Sequence, residues 1–363
     1  MSATEENGSS LRHGRQVKAL EDSIDNPVPP GVAISLTGPD LEECAEQTQD
    51  RKGREFSVKA SQTIPNRTKP FVILVACVAA LGGFVFGHDI AGAGAAFVMT
   101  GFRLHFGWEC ADGDTECTPA MRSQMDLDRA LINGLFGIGA AFGALINPAI
   151  VEAKGRRLSL SIAAIVFVLG ASIQTAAPAM AVMWVGRVFS GMGIGVLSMC
   201  APVCIAECSP EHIRGALGTL WQLAITAGIA CASACNLGLK NWIEGWRLSY
   251  GGNIVFAIIM LICLAFMPES PRWLAAHRTE EETRKALNRM RFEDEIELEM
   301  TKIAVEIEQE QKMGEAPWSE VFSTENSSRR RVMLGIVLMA FQQLSGVNAV
   351  CSTVRLSLFG SRL

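Results

Sequence analysis

The sequence predicts an all-α membrane protein, because charged residues are almost absent from six long apolar stretches. Of the 363 residues, 49% are apolar and 19% are charged. The six stretches hold only two charged residues, Asp89 and Arg187. A membrane-spanning helix needs about 20 consecutive apolar residues, so stretches of this length indicate transmembrane helices. They are 71–99, 130–151, 158–206, 216–239, 248–268 and 332–350.

The same distribution excludes other classes of protein. Transmembrane β-strands would alternate apolar and polar residues over about 10 positions, whereas these stretches are continuously apolar. A soluble enzyme is excluded as well, and no catalytic nucleophile, metal cluster or phosphate-binding loop stands out. No basic stripe indicates nucleic-acid binding. We therefore expect a protein that works in the lipid bilayer and is not an enzyme.

Four segments are predicted along the chain. Residues 1–66 are rich in Glu, Gln, Ser, Gly and Pro, which indicates a disordered tail without a cleavable signal peptide. Residues 67–268 hold six spans, since Pro178 divides the longest apolar stretch in two. Residues 269–331 form a polar insert. Residues 332–363 hold most of a seventh span and an aberrant C-terminus.

Loop charges predict the orientation. The connection after the second span carries Lys154, Arg156 and Arg157, whereas the loop at 101–128 has two arginines against six acidic residues. Because short loops rich in positive charge stay in the cytoplasm, the N-terminus and the insert are predicted to be cytoplasmic. A seven-span receptor has an extracellular N-terminus and is disfavoured. We expect a multi-pass protein, in the plasma membrane rather than an internal one.

The insert is predicted to contain short amphipathic helices that lie against the cytoplasmic face. Thr279 and Glu282 have the spacing of a capping box, which marks a helix start. A solvated charged linker is the alternative. Apolar residues recur at steps of four, three and four at Ile296, Met300, Ile303 and Ile307.

Two sets of cysteines allow more than one interpretation. Cys110 and Cys117 lie in the first outward loop, where they could form a disulfide or stay free. Cys200, Cys204 and Cys208 lie on one helix face, as in a soft-metal site. No histidine or further cysteine completes such a site, so small packing residues are the favoured interpretation and no metal site is predicted.

Asp89 and Arg187 form the main candidate site, since an ionisable side chain inside a span is costly. Asp89 lies about 15 Å from the outer end of the first span and Arg187 about 9 Å from that of the fourth. Long side chains can bridge this difference in depth and the charges are opposite, so we expect the two residues to pair. The carboxylate could take up a proton when the arginine withdraws, as proton-coupled transport requires. A structural ion pair is the alternative. His88 is either a packing residue or part of the proton relay.

Polar amides at membrane depth suggest a ligand. Gln222 lies in the fifth span, and Gln342, Gln343 and Asn348 lie in the seventh. Amides both donate and accept hydrogen bonds, as a neutral polyhydroxy solute requires. They also serve as hydrogen-bonded contacts between helices, so both roles stay open.

A series of motifs closely resembles the sugar porters of the major facilitator superfamily, from about residue 71 to 350. Order and spacing both agree with that family. The motifs are FGHDIAGAG (86–94), EAKGRR (152–157), GRVFSGMGIG (186–195), PVCIAECSPEHIRG (202–215), WR (246–247), PESPRWL (268–274) and QQLSGVN (342–348).

The resemblance implies a major-facilitator-type bundle, in which two six-helix halves rock around a central sugar or polyol site. By this likeness the four amides match sugar-contacting positions. Asp89 and Arg187 match the proton-coupling pair, with a proton as the coupling ion and no other cofactor. A further set matches the charged cluster that closes the cytoplasmic side, although loop charge alone would explain its first two arginines. The set is Arg156, Arg157, Glu152, Glu207, Arg214, Glu269 and Arg272.

The chain also departs from the family. His88 and Cys204 stand where tyrosines are expected, and the tyrosines that usually follow Asn348 are missing. Arg355 and Arg362 lie where an apolar span should continue. We expect a truncated carrier with six spans and most of a seventh, in which a transport path would be lined on one side only. The alternative is a non-transporting half-carrier that associates with another carrier half as a regulator or sensor.

Overall fold

The computed structural model describes residues 67–108, 118–313 and 328–345, which are helical and contain no strand. Six of the helices, α1 and α3 to α7, are long and apolar enough to cross a membrane. They correspond to the first six predicted spans. The helices are α1 (Pro70–Ala96), α2 (Thr100–His105), α3 (Pro119–Lys154), α4 (Arg156–Thr175), α5 (Met180–Cys208), α6 (Arg214–Leu239), α7 (Gly245–Phe266), α8 (Pro271–His277), α9 (Glu280–Met290), α10 (Glu293–Met313) and α11 (Ser328–Leu344).

Local sequence explains where the spans begin and end. Helices α1 and α3 both start at a proline, whose fixed φ suits the first helical position. Thr118 caps α3, because its hydroxyl accepts the backbone N–H of Met121 at 3.4 Å. Helix α4 ends at Thr175 and α5 begins at Met180, so the predicted break at Pro178 separates them.

The turn between α3 and α4 depends on Gly155. Its φ is 86°, in the left-handed region that favours glycine. A Cβ atom at this position would lie 2.5 Å from Oε2 of Glu269. The turn therefore needs glycine for two reasons, its backbone conformation and the carboxylate packed against it.

The six spans pack as two groups. Helix α5 packs most extensively against α3 and α4, and α4 also packs against α7. Helix α1 packs most extensively against α6, and it also contacts α5 and α7. At Gly87 the backbones of α1 and α6 come so close that a Cβ atom would lie 2.0 Å from the carbonyl oxygen of Ile225.

Burial differs strongly among the spans. Within the most apolar 18 residues of each helix, 56% of α1 and 61% of α5 are buried, whereas the buried share is 17% in α3 and 22% in α6. The described bundle therefore leaves wide apolar faces of α3 and α6 uncovered. Cys200, Cys204 and Cys208 of α5 are buried in the main core, so they face the bundle.

Helices α8 to α10 lie against one end of the bundle, which we call the insert end. The Thr279 hydroxyl accepts the backbone N–H of Glu282 at 3.4 Å and caps α9. Leu287 and Ile296 are buried. Arg291 donates a hydrogen bond to the carbonyl oxygen of Cys208 at 3.0 Å, which joins the insert to the end of α5.

Helix α11 corresponds to the first part of the predicted seventh span. It begins at Ser328, earlier than the predicted 332, and its 17 residues end at Leu344. The remainder of that span, the predicted disulfide of Cys110 and Cys117, and the tail 1–66 lie outside the described residues.

The turn at Gly155 gives a first prediction. Replacing Gly155 with alanine should destabilise the bundle by about 1–2 kcal/mol, because a side chain is unfavourable at positive φ, and the clash with Glu269 adds to this cost. Thermal unfolding of the purified chain in detergent measures the loss. Gly134→Ala in α3 is the control, since a Cβ atom there would have no neighbour within 4 Å. Equal melting of the two variants would contradict the explanation.

Candidate functional site

A buried ion pair lies between the first and fourth spans. Nη1 of Arg187 in α5 donates a hydrogen bond to Oδ2 of Asp89 in α1 at 2.7 Å. The side chains are 2% and 0% exposed. Two charges of opposite sign thus neutralise each other inside an apolar bundle, where either alone would be costly.

The sixth span completes the network around the pair. Nη2 of Arg187 donates a hydrogen bond to the hydroxyl of Tyr250 at 3.1 Å. Nδ2 of Asn253 donates a hydrogen bond to the other carboxylate oxygen of Asp89 at 3.2 Å. Both partners lie in α7, so one hydrogen-bonded network joins α1, α5 and α7.

Aromatic rings enclose the guanidinium of Arg187. Its Cζ atom lies 5.1 Å from the ring centroid of Tyr250 and 5.6 Å from that of Phe136 in α3. A weakly hydrated, planar guanidinium is suited to such an environment. Removing one partner of a buried pair typically costs about 3–5 kcal/mol, because the other charge is left without compensation.

His88 extends the network towards α6. Its Nδ1 lies 2.8 Å from Oδ1 of Asn253. Because the Asn253 amide nitrogen already donates to Asp89, its oxygen accepts, and Nδ1 of His88 carries the proton. The rings of Phe84 and Phe256 flank the imidazole. His88 is therefore packed between aromatic rings and hydrogen-bonded to the ion-pair network.

Tyr250 and Asn253 were not predicted as site residues. Tyr250 is the single tyrosine of the chain, and Asn253 lies in a stretch that has no charged residue. The sequence signal for Asn253 is an amide in a charge-free span, of the kind that Gln222 provides in the fifth span.

The structure describes the side chains of two of the four predicted sugar-contacting amides. Gln222 is exposed on α6, and Gln342 is exposed on α11. Among the described side chains no hydrogen bond joins these two. The side chain of Gln343 and the whole of Asn348 lie outside the described residues.

Glu269 of the predicted charged cluster caps helix α4. Its Oε1 accepts the backbone N–H groups of Arg156 at 2.7 Å and Arg157 at 3.0 Å. A carboxylate at a helix N-terminus satisfies free N–H groups and interacts favourably with the helix dipole. Glu269, which follows the sixth span in the sequence, thus stabilises the start of the third span.

Glu207 joins three elements at the insert end. It accepts a hydrogen bond from Nη2 of Arg156 at 2.7 Å, with side-chain exposures of 10% and 16%. Its other oxygen accepts the hydroxyl of Ser270 at 2.5 Å. The end of α5, the start of α4 and the segment before α8 are therefore linked by one carboxylate.

The Arg157 guanidinium and the remaining members of the cluster form other contacts. Arg272 forms ion pairs with α10, and the Arg157 guanidinium donates to the carbonyl oxygen of Ala265. The side chains of Arg214 and Glu152 are exposed and form no ion pair among the described residues. Of the predicted cluster, the structure thus brings together Arg156, Arg157, Glu207 and Glu269.

Glu211 and Lys302 form a further contact between the bundle and α10. Nζ of Lys302 lies 3.1 Å from Oε1 of Glu211. The hydrogen bond and charge of Lys302 lower the pKa of the Glu211 carboxyl. This contact stabilises the folded state while Glu211 is ionised and is lost as the pH falls through its lowered pKa.

The cap on α4 gives a second prediction. Glu269→Ala should destabilise the chain by about 1–2 kcal/mol, because two backbone N–H groups lose their acceptor. Thermal unfolding in detergent is the measurement, with Glu152→Ala as the control. An unchanged melting temperature for Glu269→Ala would rule out a capping role.

Comparison with known proteins identifies the family. The family described as "Sugar (and other) transporter" matches residues 75–352. A low-affinity glucose transporter of Kluyveromyces lactis is 34% identical over 316 residues, with 85% of this chain and 52% of that protein covered. The galactose transporter of Saccharomyces cerevisiae is 33% identical over 311 residues, with 82% and 53% covered. The chain therefore spans about half the length of these relatives.

The fold is similar to that of a solved structure. The structure of the major facilitator superfamily proton:xylose symporter XylE, bound to 6-bromo-6-deoxy-D-glucose, matches with a TM-score of 0.66 and 23% identity. The match covers 77% of this chain and 61% of that chain. As its motifs predicted, the chain belongs to the sugar porter family of the major facilitator superfamily.

Proposed function

We propose that the chain forms the N-terminal half of a carrier that moves a sugar or another neutral polyol across the plasma membrane by alternating access. The buried Asp89–Arg187 pair carries this proposal. The pair is enclosed by three spans of a family member, and the contact between its two charges can form or break as the carrier changes conformation. The names of the relatives, glucose and galactose transporters, support the substrate class.

The uncovered spans support a half-carrier. Helices α3 and α6 expose most of their apolar surface, as expected of helices that face a second half. Gln222 is exposed on α6, where a hydroxylated solute could reach its amide. In this proposal the amides predicted in the seventh span complete the site. A neutral ligand needs no opposite charge there, and amides satisfy hydroxyl groups in both directions.

A proton is the proposed coupling ion. Asp89 and Arg187 belong to the two different packing groups of the bundle, α1 with α6 and α5 with α3, α4 and α7. A small shift between these groups would lengthen the 2.7 Å contact and leave the carboxylate without its countercharge. A buried carboxylate in that state gains stability by binding a proton. Proton binding and conformation would then be coupled.

The cluster at the insert end is the proposed cytoplasmic gate. With a cytoplasmic N-terminus, Arg156, Glu207 and Glu269 lie on the inner side of the membrane. Their contacts are partly buried and link three elements. A matching set of charged residues on a second half would close the cytoplasmic side together with this cluster when the carrier opens outward.

A non-transporting regulator is the second candidate, and the exposed faces of α3 and α6 favour it. Such a half-bundle would associate with another carrier half through these faces. Co-purification with a full-length sugar porter would support this function, and accumulation of radiolabelled sugar by the chain alone would count against it.

Asp89→Asn tests proton coupling. We expect a carrier in which a second half completes this chain, expressed in cells without other sugar carriers, to take up radiolabelled glucose or galactose faster at low external pH. The variant should lose this acceleration because its amide does not bind a proton at these pH values. Asp128→Asn is the matched control, since Asp128 is also a buried aspartate but accepts from Trp108 and not from an arginine. Unchanged pH dependence in Asp89→Asn would reject proton coupling.

Gln222→Ala, made in the same completed carrier, tests the substrate site. Loss of one hydrogen bond to the sugar should raise KM by about 3–10-fold, corresponding to about 0.5–1.5 kcal/mol. Thr226→Ala, one turn along α6, is the control because the Thr226 hydroxyl donates to a backbone carbonyl of its own helix. If both variants keep the original KM, Gln222 does not contact the substrate.

A further inference from the structure

Three side chains with soft or borderline ligand atoms converge where α1 meets α6. One ring nitrogen of His88 and the Sγ atoms of Cys231 and Cys235 all lie within 4.8 Å of one another. The two cysteines are four residues apart on α6, so they project from the same face of that helix. His88 belongs to α1, and it stands where the family has a tyrosine.

We propose that His88, Cys231 and Cys235 bind a divalent d10 cation of the zinc class. Thiolate sulfur and imidazole nitrogen are the ligands that such cations prefer. At bond lengths of about 2.3 Å to sulfur and 2.0–2.1 Å to nitrogen, tetrahedral ligand atoms lie about 3.5–3.8 Å apart. Since the ligand atoms lie within 4.8 Å of one another, the three groups need to contract by at most about 1.3 Å.

The hydrogen bond of His88 prepares it as a ligand. Its Nδ1–H donates to Oδ1 of Asn253 at 2.8 Å, so Nε2 keeps its lone pair. Metal-binding histidines usually donate their other ring N–H in this way, which fixes the tautomer and the ring orientation. Asn253 is itself held by its hydrogen bond to Asp89 at 3.2 Å. The imidazole is thus oriented before any cation arrives.

Charge balance selects a divalent cation. Binding releases the two thiol protons, so two thiolates, one neutral imidazole and one dication carry no net charge. A neutral complex avoids the cost of an isolated charge inside an apolar bundle, whereas a monovalent cation would leave one negative charge.

The surrounding helices make the site both rigid and accessible. Helices α1 and α6 are in close backbone contact at Gly87, one residue before His88. Cys231 is half-buried and Cys235 is exposed, so a cation can reach the thiols from the uncovered side of α6. Three protein ligands leave the fourth position open to water.

The cysteines of α5 provide a contrast. Cys200, Cys204 and Cys208 have the same four-residue spacing but are all buried in the core. They do not belong to a cluster with histidine or carboxylate ligands among the described residues. The cysteines have the same spacing in both sets. Only the cysteines of α6 lie near a histidine and can be reached by a cation.

Cadmium binding to the purified full chain in detergent, under reducing conditions, tests the site. We expect Cd²⁺ to produce thiolate-to-metal charge-transfer absorption, with Zn²⁺ as a competitor. The double variant Cys231→Ser, Cys235→Ser should bind one cation fewer per chain, and His88→Asn should weaken this binding at least tenfold. Cys204→Ala, Cys208→Ala is the matched control and should keep the cation. Unchanged stoichiometry in the double serine variant would overturn the proposal.

A second measurement uses the unaltered protein, so it stays decisive if a variant does not fold. Saturating Cd²⁺ should protect Cys235 from alkylation by a maleimide, as mapped by mass spectrometry of its peptide. Cys77 is an exposed thiol of α1 and should react equally with and without the cation. Equal alkylation of Cys235 in both conditions would reject the site. Neither measurement depends on transport, so its outcome is separate from that of the proposed function.

Discussion

The requirement that a buried charge have a partner determines much of this structure. Asp89 is 0% exposed and lies in a span that is otherwise free of charged residues. Its carboxylate accepts from Arg187 and Asn253, and Arg187 in turn donates to Tyr250. These contacts require α1, α5 and α7 to meet at one depth, because slippage of any helix by one turn, about 5.4 Å, would leave a charge without compensation.

Much of the fold was predictable, because membrane insertion acts on composition over whole segments. Charge-free stretches located the six spans, and Pro178 correctly separated α4 from α5. The depths of Asp89 and Arg187 were enough to predict their pairing, since a helix converts residue number directly into height. The Thr279 cap was predictable for a similar reason, because its partner lies three residues away.

Contacts between distant segments were less accessible to sequence analysis. Glu269 was predicted as a gate charge, whereas the structure shows it binding backbone N–H groups 113 and 112 residues away. Backbone donors are present at every helix start and carry no sequence signal of their own. Asn253 was missed because an amide in a span has several possible roles. The cluster of His88 with two cysteines depends on the rotation of α6 against α1, which spacing within one helix does not define.

The distribution of strong contacts indicates which part of the bundle can move. Arg156, Glu207 and Glu269 join α4, α5 and the segment before α8, and a cap or a partly buried ion pair holds such elements more firmly than exposed salt bridges of about 0–1 kcal/mol. Helix α1 is attached to this end through exposed contacts of Arg67 and Lys69, and it packs closely on α6 instead. A shift of α1 with α6 against the other spans would leave the contacts of this cluster intact, but it would separate α1 from α5 and α7, against which it also packs. The Asp89–Arg187 pair crosses the boundary between these two groups and is the contact that such a motion would break.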